Sequence, residues 1–490
     1  MKNQINHSFL KAFLFAVAIF LSTFTISLAQ SKAEKIDQLM SKYAEYGQFN
    51  GTVLVAEQGK VIYKKGFGMA NMEWDIPNQT NTKFRLGSIT KQFTGMLILQ
   101  LFEQGKLKLD VPITTYLPDY PKTSGDRITI HHLLTHTAGI PNYTSFPNFF
   151  NETSKKIYTP EEFVKQFSSL PLEFEPGEKF AYSNSGYFLL GYIIEIVSGK
   201  SYEACLQSQI FTPLKMTNSG FDHSEIITKN RAAAYEKKGN GFVIAPYINM
   251  NLPYAAGSIF STVEDLYLWD QSLYTEKLIS VKSKELYFGK HISTGGGGYY
   301  GYGWGKYELP IENSAEKIQI NEHSGGIHGF NTLISRIPSD KNLTVFLNNT
   351  GGADLNEMSK AIRAILYNKT YTMPKQSLAK NLSNDIHTKD LETALINFKE
   401  NKKSETYAIK EDEMNSLGYE FLQSGKVKEA IEIFKLNVEA FPSSGNCYDS
   451  LGEAYLADGD RKLALLNYKK SVELDPSNEN GKKIILEISK

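Results

Sequence analysis

Phe84-Arg85-Leu86-Gly87-Ser88-Ile89-Thr90-Lys91 leads into Phe93, Met96, Leu97, Leu99, Leu101 and Phe102, and Gly105 closes the run. Apolar positions this dense leave no wet face, so the stretch predicts a buried helix opening at Ser88. One helical turn separates Ser88 from Lys91. That spacing brings a hydroxyl and an amine to one side of the helix start, where the macrodipole favours developing negative charge. By itself the string is weak. Ser-x-x-Lys recurs by chance, and Ser88 also reads as an ordinary helix cap.

Outward from this helix the chain alternates strands and helices. Residues 37–46 predict a short opening helix, and Gly51-Thr52-Val53-Leu54-Val55-Ala56 and Val61-Ile62-Tyr63 predict a hairpin about Gln58-Gly59. Residues 110–183 mix proline-marked loops with short helices at 129–136 and 160–169, which suggests an all-helical lobe. Residues 189–197 predict a further apolar helix. Ser261-Thr262-Val263-Glu264 has the form of a capping box before Leu266 and Trp269. Strands return at residues 330–336 and 343–347, an antiparallel pair about Pro338-Ser339-Asp340-Lys341. The glycines at 295–298 lack the strand-to-helix setting of a phosphate loop and read as a flexible loop.

Two further polar segments give Ser88 company. Tyr182-Ser183-Asn184 follows Phe174-Glu175-Pro176-Gly177, and His323-Ser324-Gly325-Gly326 stands before a predicted strand. With Ser88-Ile89-Thr90-Lys91, and with Leu133-Leu134-Thr135-His136-Thr137-Ala138-Gly139 between the first two, residues 40–367 resemble the penicillin-binding-protein and serine β-lactamase superfamily. The resemblance is to its class C β-lactamase, D-alanyl-D-alanine carboxypeptidase and esterase branch. It implies an α/β (α+β) domain in which helices flank an antiparallel sheet beside an all-helical lobe.

The resemblance also implies roles for named residues. Ser88 attacks an acyl carbonyl and forms an acyl-enzyme, and Lys91 and Tyr182 are positioned to remove its proton. Tyr182 is favoured as the immediate base and Lys91 as its electrostatic partner, while the residues alone leave the proton's assignment between them open. Asn184 orients Lys91 and a substrate carbonyl, while the backbone N–H groups of Ser88 and Gly326 form the oxyanion hole. His323 departs from the pattern, standing where true β-lactamases carry the lysine of Lys-Thr-Gly. Histidine offers no persistent cation at pH 7 but can donate a hydrogen bond, which weakens an antibiotic-hydrolase reading and leaves His323 as a substrate-binding or orienting group. Tyr254, Phe260, Tyr299, Tyr300, Tyr302 and Trp304 are candidates for an apolar acyl pocket or for plain packing. His131 and His136 read as structural.

The remaining sequence bounds these readings. The chain has 490 residues, 41% hydrophobic and 22% charged, with Lys plus Arg and Asp plus Glu at 53 each. That composition excludes a disordered or polytopic membrane chain and names no nucleic-acid partner. Lys2 and Lys11 precede an apolar stretch that ends in Ser27-Leu28-Ala29, so residues 1–29 read as a signal peptide. The expectation is a periplasmic or secreted protein without a transmembrane anchor once cleaved. Cys205 and Cys447 are isolated and read as apolar fillers, and no metal or other cofactor is expected.

After the enzyme-like domain of residues 30–370, residues 371–384 read as a linker and residues 385–490 as an all-α tail. There Leu417-Gly418, Ala430, Phe434 and Pro442 recur as Leu451-Gly452, Ala464, Tyr468 and Pro476, each after 34 residues, the tetratricopeptide period. Residues 389–410 supply a degenerate preceding pair or a packing helix. The expected function is an exported serine hydrolase acting on a small-molecule ester, amide or D-amino-acid peptide, with the repeats open to a protein or peptide partner. The alternatives are an inactive peptide-binding protein on the same scaffold and a β-lactamase.

Overall fold

The computed structural model of the chain describes residues 30–238, 241–311 and 316–489. The signal-peptide reading of residues 1–29 lies outside the described residues. Eight strands form one antiparallel sheet: β1 (Gly51–Glu57), β2 (Lys60–Phe67), β3 (Ile292–Gly295), β4 (Gly298–Tyr300), β5 (Gly305–Pro310), β6 (Lys317–Ile327), β7 (Phe330–Ile337) and β8 (Asn342–Asn348). Their order is β3-β4-β5-β6-β7-β8-β1-β2, so the first hairpin completes a sheet begun by the late strands. Thr52 pairs with Leu347 and His323 with Ile334 across these ladders.

Both sheet faces are covered, because successive strand residues point opposite ways. Val53, Val55 and Phe346 meet helix α1 (Lys32–Glu45) through Ile36, Leu39 and Met40, together with a late helix over residues 355–366. Leu54, Ala56, Val345 and Leu347 face the larger core around α2 (Thr90–Glu103) and α3 (Asn184–Ser198). The predicted buried helix is thus α2, but its first turn differs. Gly87–Ile89 forms a 3₁₀ turn, the α-helix begins at Thr90, and no side chain caps either segment. Ser88 is therefore not an ordinary helix cap. The box expected at Ser261 is also shifted by one residue: Ser261 ends a short strand, and Thr262 caps α4 (Val263–Ser272) through the Asp265 N–H.

The expected linker is replaced by structure. Gln376–Ser377 pairs with Tyr407–Ala408, and α6 (Leu378–Thr388) follows α5 (Leu355–Leu366) after a short passage. Leu378, Ala379 and Leu382 are buried in the tail's own core, which is why the helical unit starts inside residues 371–384. It continues through α7 (Leu391–Asn401), α8 (Glu411–Gln423), α9 (Val427–Ala440), α10 (Gly445–Ala457), α11 (Arg461–Leu474) and α12 (Glu479–Ile488). The bounds of α8 and α9 recur in α10 and α11 after 34 residues. Packing explains the repeated glycines: a Cβ on Gly418 would lie 2.4 Å from the Phe434 ring, and one on Gly452 3.1 Å from Tyr468. Cys205 and Cys447 are both buried and free.

A buried ion pair ties the sheet to α4. Arg336 on β7 donates from Nε to Asp270 Oδ1 at 2.8 Å, with both side chains at most 2% exposed. Tyr274, Phe288 and Trp304 surround the guanidinium at 4.7, 5.2 and 5.8 Å. Burial raises the Asp270 carboxyl and Arg336 opposes it, so each charge depends on the other. Asp270→Ala is expected to lose about 3–5 kcal/mol in a denaturant titration, because it strands the guanidinium. The joint Asp270→Leu, Arg336→Met replacement should lose far less.

Candidate active site

The loop ahead of α2 is held by backbone contacts and two threonine hydroxyls. Leu86 N–H donates to Ile259 O at 2.8 Å, and the Thr90 hydroxyl accepts from Ile259 N–H at 3.1 Å. From the sheet side, Thr332 Oγ1 donates to Leu86 O at 2.8 Å. Gly325 makes this docking feasible, since a Cβ there would lie 1.9 Å from Leu86 O. Gly87 has φ +56°, and a Cβ on it would lie 2.8 Å from Gly326 N. Two glycines thus let the Ser88 turn and the end of β6 meet backbone to backbone, bringing Ser88 beside Gly326.

Lys91 lies at the centre, fully buried. Its Nζ is 3.0 Å from Ser88 Oγ, 2.8 Å from Asn184 Oδ1 and 2.9 Å from Ala256 O. It also lies 4.8 Å from the Tyr182 ring centroid and 5.5 Å from that of Tyr187. Burial drives the amine well below the ordinary lysine value. Asn184 is the first residue of α3, its main-chain N–H held by Asn142 Oδ1 at 3.1 Å. Tyr182 is 36% exposed, and its phenol is raised above its ordinary value by desolvation, with a hydrogen bond to Ser88 acting the other way.

His323 is buried, and both ring nitrogens have partners. Nδ1 is 2.6 Å from Ser324 O, an acceptor, so Nδ1 carries the proton. Nε2, 2.8 Å from the Tyr300 hydroxyl, then accepts from it. Burial first, and Lys91 second, lower the imidazole to about 4. The hydrogen-bond donor expected for substrate is therefore spent within the protein, and His323 holds Tyr300 in place.

The three polar segments do converge, and Ser88, Lys91, Tyr182, Asn184, His323 and Gly326 line one site. The aromatic group divides. Tyr300 reaches the site through His323, Tyr254, Tyr302 and Trp304 are core residues, and Tyr299 is exposed on β4. His131 bonds Tyr302 at 2.8 Å and is structural, whereas His136 stacks on Tyr182 with ring centroids 4.2 Å apart. Sequence reasoning missed Ala256 O as the third Lys91 partner. The only signal was Ala255-Ala256-Gly257, a small-residue turn after Tyr254, whose φ is +43°.

The comparisons with known proteins agree with this geometry. The Beta-lactamase family model matches residues 35–369. A penicillin-binding protein of Bacillus subtilis (strain 168) is 32% identical over 366 residues, covering 71% of this chain and 79% of its own length. The octameric penicillin-binding protein homologue from Pyrococcus abyssi has 32% identity and a TM-score of 0.60, with 69% of this chain and 77% of that one covered. FmtA from Staphylococcus aureus has 27% identity and a TM-score of 0.57, over 70% and 90%. With the match spanning the sheet, the helical lobe and every residue of the converged site, the chain belongs to the Beta-lactamase family and is a serine hydrolase of the penicillin-binding-protein and β-lactamase type.

Proposed function

We propose that the chain hydrolyses an ester or amide whose acyl part carries no carboxylate, including D-amino-acid amides, through a covalent acyl-enzyme on Ser88, with Lys91 as the base. The observation that carries this is the partner set of Lys91. Asn184 Oδ1 and Ala256 O can only accept, so a neutral amine gives both of its N–H bonds to them and turns its lone pair to Ser88 Oγ. Burial favours that neutral state. The base expected from the resemblance was Tyr182. Its raised value keeps the phenol protonated, which suits it to donate rather than accept.

Ser88 Oγ bonds to the acyl carbon as its proton passes to Lys91. The backbone N–H groups of Ser88 and Gly326 bind the negative oxygen. The bond to the leaving group then breaks, its oxygen or nitrogen taking the Tyr182 proton, and Lys91 re-protonates the phenolate. Water enters where the leaving group left and attacks the acyl carbon while Lys91, neutral again, takes its proton; collapse returns a proton to Ser88. A neutral His323 offers no counter-charge to a substrate carboxylate, so acyl groups without one at that position fit best.

Around this chemistry we place export by residues 1–29 to the periplasm or medium, and a tetratricopeptide-like unit from Gln376 onward that offers a surface for a peptide or protein. The 34-residue recurrence of helix bounds and of glycine-on-aromatic packing supports that naming of the tail.

An activated-serine probe is expected to label Ser88 of the wild-type protein, and Ser88→Ala to abolish the label. Lys91→Met, in folded protein, should slow acylation about 10²- to 10⁴-fold. A wild-type chain that folds and takes no label sinks the reading. His323 adds a pH signature. Its value in the folded protein is lowered to about 4, so its contribution to stability is complete above the ordinary histidine value and is lost as pH falls from there through about 4. Melts at stepped pH should therefore show wild type losing more stability between pH 6.5 and 4 than His323→Gln, by about 3 kcal/mol.

A further inference from the structure

His136 is 2% exposed and has φ +59°, a left-handed conformation that costs a residue with a Cβ about 1 kcal/mol or more. Something must offset that cost: the ring packs among Tyr182, Tyr187, Tyr300 and Phe180, nearest to Tyr182, and its hydrogen bonds flank Tyr182 on both sides. His136 O accepts the N–H of Ala181 at 2.9 Å, and His136 Nδ1 accepts the N–H of Ser183 at 3.1 Å. Between those two residues is Tyr182, against whose ring the imidazole lies at 4.2 Å and 33°. The main chain on both sides of the phenol and the phenol's own face thus rest on a single residue.

The surrounding loop extends this clamp. Gly177 N–H donates to Thr137 O and Glu173 N–H to Gly139 O, each at 2.8 Å, and Ser183 Oγ donates to Ile140 O at 3.2 Å. A Cβ on Gly139 would lie 2.2 Å from Phe174 O, so the two loops run in direct backbone contact. His136-Thr137-Ala138-Gly139 is the bed on which residues 173–183 are laid.

The imidazole's protonation is equally constrained. Accepting from Ser183 requires a lone pair on Nδ1, which places the proton on Nε2, and Nε2 has no hydrogen-bond partner among the described residues. A buried unpaired donor costs about 1–3 kcal/mol. Phenylalanine would fill the same space without that cost, but would leave the Ser183 N–H without an acceptor. Leucine would also lose the flat face. The position combines a planar ring with an acceptor at Nδ1, and histidine supplies both.

We propose that His136 is the positioning residue of Tyr182, setting the phenol's place over Ser88 and thereby the rate of acyl transfer without touching substrate. This rests on the assignment of Ser88, Lys91 and Tyr182 above. Two full-chain variants separate the two halves of the device. His136→Asn keeps an acceptor and tolerates the left-handed backbone but has no ring, and His136→Phe keeps the ring but has no acceptor. The readouts are the rate of Ser88 labelling by an activated-serine probe, kcat and KM on a short-chain nitrophenyl ester, and the thermal midpoint.

Each folded variant is expected to lose about 10- to 100-fold in labelling rate and kcat with KM nearly unchanged, the scale of a reacting group displaced by about 1 Å. In a Tyr182→Phe background the same substitutions should add almost nothing, because the group they position has gone. Wild-type labelling rates in folded His136→Asn and His136→Phe would overturn the proposal and leave the Ser88 assignment standing. So would losses that multiply in full with that of Tyr182→Phe. Wild-type protein that takes no label at Ser88 overturns both.

Discussion

The site depends on one amine kept out of water. Lys91 Nζ lies among Ser88 Oγ, Asn184 Oδ1 and Ala256 O, and those atoms come from the Ser88 turn, the start of α3 and the turn after Tyr254. A buried ammonium would need all three as acceptors and would still bear the cost of its desolvation. A neutral amine needs only two, and the proposed reaction uses the third partner, Ser88 Oγ, as the group it deprotonates. The same geometry gives the amine two fixed acceptors and sets Ser88 Oγ as its third partner, while burial lowers it well below the ordinary lysine value. It also requires that three separately folded segments be held within a few tenths of an ångström.

That precision comes from main-chain contact. Leu86 O lies against the bare α-carbon of Gly325 and receives Thr332 Oγ1, so the Ser88 turn is docked onto β6 backbone to backbone and onto β7 through one short hydroxyl. The Tyr182 loop is docked in the same manner onto residues 136–140, where Gly139 removes the Cβ that would block Phe174 O. Backbone docking of this kind has little rotamer freedom, which suits groups that must be in place before substrate arrives. Asn184 then inherits its position from α3, whose first main-chain N–H is held by Asn142.

Much of this was legible in the sequence because its causes are local. The α2 run, the two hairpins and the 34-residue recurrence each show in composition or period, and the three motifs name Ser88, Lys91, Tyr182, Asn184, His323 and Gly326. What was not legible depends on partners distant in the chain. Nothing near His323 shows that Tyr300, 23 residues earlier, takes up its Nε2, which with Ser324 O on Nδ1 turns an expected donor to substrate into an internal brace. The proposed roles of Lys91 and Tyr182 rest on the same kind of information, because the burial that lowers the amine and raises the phenol comes from the folded surroundings. The linker reading failed because a lysine-rich surface concealed Leu378, Ala379 and Leu382, whose burial needs the later helices.

His323 and Lys91 also constrain each other. A lysine at position 323 would place a second amine near Lys91, and each would disfavour the charged form of the other. With histidine lowered to about 4, position 323 is uncharged throughout the neutral range, and the Lys91 amine is shaped by burial and hydrogen-bond acceptors rather than by a neighbouring cation. His136, also lowered by burial and by Lys91, adds no positive charge either. Burial lowers the amine and both imidazoles and raises the Tyr182 phenol, so the charged form of each is disfavoured around the nucleophile. In the proposed reaction the tetrahedral oxyanion and the Lys91 ammonium form together, and the N–H groups of Ser88 and Gly326, assigned there to the oxyanion, would act most strongly in surroundings of low dielectric.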